Sequence, residues 1–150
     1  MLFLKCHAEP DALFVFRNPQ EDDLPDLMYQ CAFSIVGTVC MSNLVGFGIM
    51  DLRSFLGNAG LCGFGFGEVP ENRELSEEAR KIIDHTYTIM DDEDADKSYI
   101  VFSAGDVSLM DVSDAASAAD HEQNTVYGLG YYNESMKGKR IMVLSRIGAL

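Results

Sequence analysis

DLRSFLGNAGLCGFGFGEVPENRELSEEARKII, residues 51–83, places a short helix, a glycine-punctuated strand and an amphipathic helix one after another. In Gly63-Phe64-Gly65-Phe66-Gly67 the side chains alternate with period two, so the glycines share one face of the strand and the phenylalanines the other. A face of bare backbone lets a helix or another main chain approach closely, while the phenylalanines fill a core on the opposite side. Asp51 to Leu56 is the short helix, ended by Gly57 or Gly60. The strand runs from about Leu61 to Val69. Beyond Pro70, Leu75, Ala79, Ile82 and Ile83 recur at helical spacing, with Ser76 placed to cap and Glu77 and Glu78 in a first turn. That helix is expected to pack on the sheet.

Upstream, residues 1–5 and 11–17 read as a short strand pair turned at Glu9-Pro10, followed by an acidic, proline-bearing break at Asn18 to Pro25. A helix is expected from Leu24–Asp26, where acidic residues suit the positive end of its dipole, to about Met41. Leu27 to Met50 carries no charged residue and has the length of a membrane span. Gln30, Ser34, Gly37, Thr38, Ser42, Asn43, Gly46 and Gly48 dilute it and basic flanks are lacking, so it reads as a helix covered by protein on most sides, followed by a loop.

Downstream, Met90 to Lys97 is a solvated acidic loop, and Ser98 to Ala104 reads as a buried strand closed by Gly105-Asp106. Ser108 to Asp111 resembles a capping box, and Leu109, Val112, Ala116 and Ala119 form an apolar stripe on the helix it begins. Asn124 to Tyr132 and Lys139 to Ile147 are strands whose connection, Asn133 to Gly138, is short enough for a hairpin. The order α, β, α, β, α, β, β from residue 51 predicts an α/β fold with a mixed four-stranded sheet. Its first three strands are parallel and the last antiparallel.

The chain has 150 residues, 47% of them hydrophobic, enough for a real core. Eleven Lys and Arg against 24 Asp and Glu give a net charge of −13, which repels nucleic acid and anionic lipid. Cys6, Cys31, Cys40 and Cys62 form no CxxC pair and no signal segment opens the chain, so a cytoplasmic, reducing setting is expected.

No catalytic or cofactor constellation emerges. Asp92, Asp94 and Asp96 have the spacing of a calcium loop, but Lys97 occupies the position that needs glycine and Ser103 the position of the closing glutamate. His7, His85 and His121 head no zinc spacing, and Cys62 is better suited to a buried strand position than to a nucleophile without a base. The glycines from Gly60 to Gly67 match neither GxGxxG nor GxxxxGK[ST].

Asp51-Leu52-Arg53, Asn58-Ala59-Gly60, Gly65-Phe66-Gly67-Glu68, Glu71-Asn72-Arg73 and Ala104-Gly105-Asp106 together resemble the C-terminal domain of FtsZ, the tubulin-like cell-division protein. Gly128 and Ile141 to Gly148 continue the likeness, which covers about residues 44–148. Residues 11–43 resemble, more faintly, that family's last nucleotide-domain strand and central helix. The resemblance implies an FtsZ/tubulin-type α+β sandwich, with residues 44–150 as the domain and 1–43 as an arm. The family's GTP-binding sequence GGGTGTG is absent. In its catalytic loop pattern Asn-x-Asp-x-x-Asp, Gly46 and Gly48 replace the first two members and only Asp51 remains. The expectation is a non-catalytic assembly module with no cofactor and no metal. Its partners would be a second copy or a full-length FtsZ-like protein, met at Gly46, Phe47, Gly48, Asp51 and Arg53, and it would regulate or cap cell-division filaments. The other reading is a small enzyme or ligand-binding protein of the related chorismate-mutase-like architecture, with sites between subunits.

Overall fold

The computed structural model describes residues 12–15, 23–57, 60–87, 98–120 and 124–148. The expected strand at residues 1–5 and the acidic loop holding Asp92, Asp94 and Asp96 lie outside them, as do His7 and His121. The elements are β1 (Ala12–Val15), α1 (Leu24–Cys40), α2 (Ile49–Leu56), β2 (Gly60–Val69), α3 (Leu75–Tyr87), β3 (Ser98–Gly105), α4 (Leu109–Ser117), β4 (Thr125–Tyr132) and β5 (Lys139–Gly148). β2, β5, β3 and β4 make the mixed four-stranded sheet that the element order implies, and β1 extends it as a fifth, edge strand parallel to β2.

The glycine strand behaves as its alternation requires. A Cβ on Gly65 would collide with Cγ2 of Ile82, and one on Gly67 would lie 3.1 Å from Cγ of Glu78, so α3 sits directly on the bare backbone of β2. On this face Val69, Tyr99, Val101, Ile141 and Val143 meet Leu75, Ala79, Ile82 and Ile83 of α3, Ala115 of α4 and Ala119 in the turn that follows it. On the opposite face Phe64, Ile100, Phe102, Leu129, Met142 and Leu144 pack with Cys31 of α1 and Leu52 and Phe55 of α2. The result is three layers, with a helix pair on each side of one sheet.

Three expectations need correction. The strands β4 and β5 do not form a hairpin. β5 runs antiparallel between β2 and β3, and β4 lies on the far side of β3, parallel to it. The connection 133–138 therefore crosses the end of β3. Gly105 makes the crossing possible: its φ is +116°, and a Cβ there would lie 2.5 Å from the Gly138 carbonyl oxygen. Its own carbonyl accepts the Asn133 N–H at 2.9 Å. In α4 the buried positions are Val112 and Ala115, with Ala119 buried just beyond the helix end, while Leu109 is exposed beside the cap.

The third correction concerns α1, which is covered on one side rather than on most. Cys31, Ser34, Gly37 and Thr38 face the sheet, and Tyr29 and Val36 are 63% and 55% exposed. Small residues bring the helix close, since a Cβ on Gly37 would stand 3.4 Å from the Phe102 ring. The two buried hydroxyls are satisfied within the helix. Ser34 Oγ donates to the Gln30 carbonyl at 2.6 Å and Thr38 Oγ1 to that of Ile35 at 2.8 Å.

The capping box at α4 is present. The Asp111 N–H donates to Ser108 Oγ at 3.2 Å, and the Ser108 N–H donates to the Asp111 carboxylate at 2.8 Å. The other carboxylate oxygen accepts from Lys139 Nζ at 2.9 Å, tying α4 to the start of β5. Partial desolvation pulls the Asp111 carboxyl upward, but the Ser108 N–H and the Lys139 ammonium outweigh it and hold the group below the usual carboxylate value.

Candidate interaction face

The segment from Met41 to Arg53 leaves the end of α1, crosses the edge of β4 and enters α2. Its two halves are fixed by different forces. At the start, Asn43 Nδ2 donates to the Thr38 carbonyl at 2.7 Å, prolonging the helix end, and Asn43 bridges to Tyr131. The Leu44 N–H donates to the Gly130 carbonyl at 2.7 Å, which occupies an outward-pointing acceptor of the edge strand. In the middle, Phe47 turns inward and packs edge-on to Tyr127 with centroids 5.6 Å apart. At the end, the Gly48 N–H donates to the Asp51 carboxylate at 2.8 Å, closing the first turn of α2.

These anchors decide which residues face water. Gly46, Asp51 and Arg53 are exposed and Gly48 is half-buried, so four of the five residues singled out by the family pattern remain reachable; Phe47 is spent on the core. A Cβ on Gly46 would meet nothing within 4 Å, and on Gly48 only the Asp51 carboxylate at 3.7 Å. Glycine is not demanded by space at either position. Sequence reasoning missed the apolar part of this face: Leu44, Val45, Ile49 and Met50 are all exposed, the last two by 64% and 69%. Their signal was the uncharged run itself.

The chemistry available here is that of contact. Asp51 is already hydrogen-bonded to its own helix, no histidine lies within the segment, and Arg53 is the one basic side chain from Met41 to Leu56. The buried thiols elsewhere are equally unsuited to reaction. Burial pushes Cys31 up to about 12, assisted by the neighbouring Cys62, and pushes Cys62 up to about 11 against a smaller opposing pull from Arg146. Among the described residues, no group of three His, Cys, Asp or Glu side chains is placed to hold a metal ion. Among them, too, no helix is long and apolar enough to cross a membrane.

No protein-family model matches the chain, and no curated protein matches it in sequence. In structure it matches a single-site mutant of FtsZ from M. jannaschii with a TM-score of 0.71 over 93% of its own length, at 16% identity. It has the fold of the C-terminal region of FtsZ. The chain spans 47% of that FtsZ, so the likeness concerns less than half of the larger protein. An empty FtsZ dimer from M. jannaschii matches with a TM-score of 0.71 at 14% identity, over 90% of this chain and 44% of that one. CetZ2 from Haloferax volcanii, in a GTPγS-bound protofilament, matches with a TM-score of 0.53 at 15% identity, over 93% and 47%. At 93% of the chain, the structural likeness is longer than the stretch 44–148 where the sequence resemblance is strongest.

Proposed function

We infer that the protein is a non-catalytic assembly module that engages a full-length FtsZ-like partner through the face from Leu44 to Arg53, residues 44–150 being the module and 1–43 its arm. The observation that carries this reading is a loop held rigidly at both ends that still presents Val45, Gly46, Ile49, Met50, Asp51 and Arg53 to solvent. The FtsZ resemblance supports reading this face as a subunit contact. In that family the C-terminal domain of one subunit meets the nucleotide-bearing face of the next. A copy of these 150 residues bound through the first surface carries no GGGTGTG loop to offer the next subunit, and so ends a filament. Gly46 and Gly48 supply no carboxylate or amide to orient a water, which leaves the partner's GTP unhydrolysed beneath the cap.

The test is sedimentation of a full-length FtsZ with GTP in the presence of this protein. Substoichiometric addition shortens the filaments and lowers pelleted mass. The triple variant Ile49→Glu, Met50→Glu, Arg53→Glu abolishes the effect while leaving Asp51, which caps α2, in place. Unchanged filament mass and length at equimolar addition would exclude capping. The isolated protein binds no GTP, and micromolar binding by calorimetry would contradict the assignment.

A further inference from the structure

Six methionines fall among the described residues, and their surroundings divide them. Met142 is 1% exposed and its Sδ lies against Ser34 Oγ. Met41 and Met136 pack on the core of the same face of the sheet, and Met28 is half-buried. Met50 and Met110 stand apart, at 69% and 75% exposed. Met110 lies in the first turn of α4, outside the interaction face. Met50 lies in the first turn of α2, inside it, and is the most exposed of the apolar side chains Leu44, Val45, Ile49 and Met50.

We propose that Met50 is a modification site at which oxidation by a peroxide switches off the face from Leu44 to Arg53. This deepens the reading of that face as a contact and rests on it. The thioether lone pair attacks one oxygen of hydrogen peroxide and the O–O bond breaks. After proton transfer the products are a sulfoxide and water, sulfur being oxidised and the peroxide reduced. Because Met50 already faces solvent, the step needs no unfolding, and because it lies outside the core it leaves Leu52 and Phe55 in place. Reduced, the side chain is flexible and apolar and adapts to the surface it meets. Oxidised, it carries a strong acceptor that a closing partner must strip of water, which is unfavourable unless a donor replaces the water. The neighbouring donor is Arg53, at i+3 on the exposed side of α2, and its guanidinium forms no ion pair among the described residues. Bonded to the sulfoxide oxygen, it is withdrawn from the partner. The face then loses its most exposed apolar side chain and its one cation together.

The experiment treats the protein alone with hydrogen peroxide, removes the excess with catalase, and reverses thiol oxidation with dithiothreitol, which leaves sulfoxides intact. Peptide masses then locate each added oxygen. Met50 and Met110 gain theirs roughly tenfold or more faster than Met142, with the melting curve unchanged. In a Met110→Leu background, the Met50 sulfoxide shortens retention on phenyl-agarose, and roughly tenfold more protein is then needed to shorten filaments of full-length FtsZ. Methionine sulfoxide reductases for both sulfoxide epimers, with dithiothreitol as electron donor, restore both readings; the dithiol becomes a disulfide and the oxygen leaves as water. Met50→Leu, whatever its own starting values, is indifferent to peroxide in both. Oxidation of Met50 no faster than that of Met142, a sulfoxide at Met50 with retention unchanged, or a loss that persists in Met50→Leu would each overturn the proposal. Reduced protein that leaves filaments unaltered sinks the filament reading alone, because oxidation rate and retention decide for or against the switch without a partner.

Discussion

Gly65→Ala tests the contact on which the fold turns. The added methyl would overlap Cγ2 of Ile82 and stand 3.4 Å from its Cβ, and Ile82 is only 9% exposed and hemmed by the sheet. Either α3 lifts from β2 or Ile82 leaves its rotamer. Overpacking of this kind costs about 1–3 kcal/mol, and a displaced rotamer about 0.5–1.5 kcal/mol of that order. The reduced freedom of alanine in the unfolded chain returns about 0.4–1 kcal/mol. The net expectation is a loss of roughly 0.5–2.5 kcal/mol, or about 1–10 °C in Tm for a chain of this size. Urea denaturation at fixed pH, read as a change in midpoint at constant slope, measures it. Ile82→Ala alone leaves a cavity and costs about 2–5 kcal/mol, but the methyl of Gly65→Ala partly fills that cavity. The double variant is therefore more stable than the sum of the singles, by about 1 kcal/mol or more. Gly65→Ala within about 0.5 kcal/mol of the parent, or strict additivity in the double variant, would refute the close approach.

Asp111→Asn weakens the α4 cap and its link to Lys139, costing about 1 kcal/mol at neutral pH. Because the folded carboxyl titrates below its unfolded value, the contribution is full above about pH 4 and fades as pH falls further, so acid melts of parent and variant converge. Cys31 and Cys62 act at the other end. Their unfolded thiols ionise from the ordinary 9.0 while the folded ones hold their protons to about 12 and about 11, so stability is complete below pH 9 and declines above it. The slope is about 1.4 kcal/mol per pH unit for each thiol, and Cys62→Ala makes the decline shallower in urea melts between pH 8 and 10.5. Gly46→Asn with Gly48→Asp, which rebuilds Asn-x-Asp-x-x-Asp, folds with an unchanged melting temperature because both positions are open. In the filament assay it restores phosphate release from the capped subunit.

Local patterns were legible where the physics is local. The alternation from Gly63 to Gly67 implied one bare face, and α3 lies on it. Leu75, Ala79, Ile82 and Ile83 implied the buried stripe of α3, and Ser108 with Asp111 implied a cap that the hydrogen bonds bear out. The place of β5 was not legible. A six-residue connection reads as a hairpin, and the choice of strand neighbours is decided across the sheet, where its one local trace is the glycine at 105. The outer face of α1 misled for a different reason. Hydropathy records that Tyr29 and Val36 carry no charge, but not whether a neighbour covers them. At the loop face the family pattern pointed to Gly46, Asp51 and Arg53, which are exposed, but did not reveal the inward turn of Phe47, which depends on Tyr127, eighty residues away.

The central position of β5 also governs the order in which this sheet can be assembled. β2 has only β1 and β5 as neighbours, and β3 only β4 and β5. As the chain emerges from a ribosome, everything up to Gly138 can make two separate strand pairs, each with an unpaired edge and an apolar face. Nothing joins them until Lys139–Gly148 arrives and slides between. Until then both halves are exposed to pairing with other nascent chains, the hazard of sheets built on long-range contacts. The cell's exposure to misassembly of this protein is thus set by the few seconds needed to synthesise and dock its central strand.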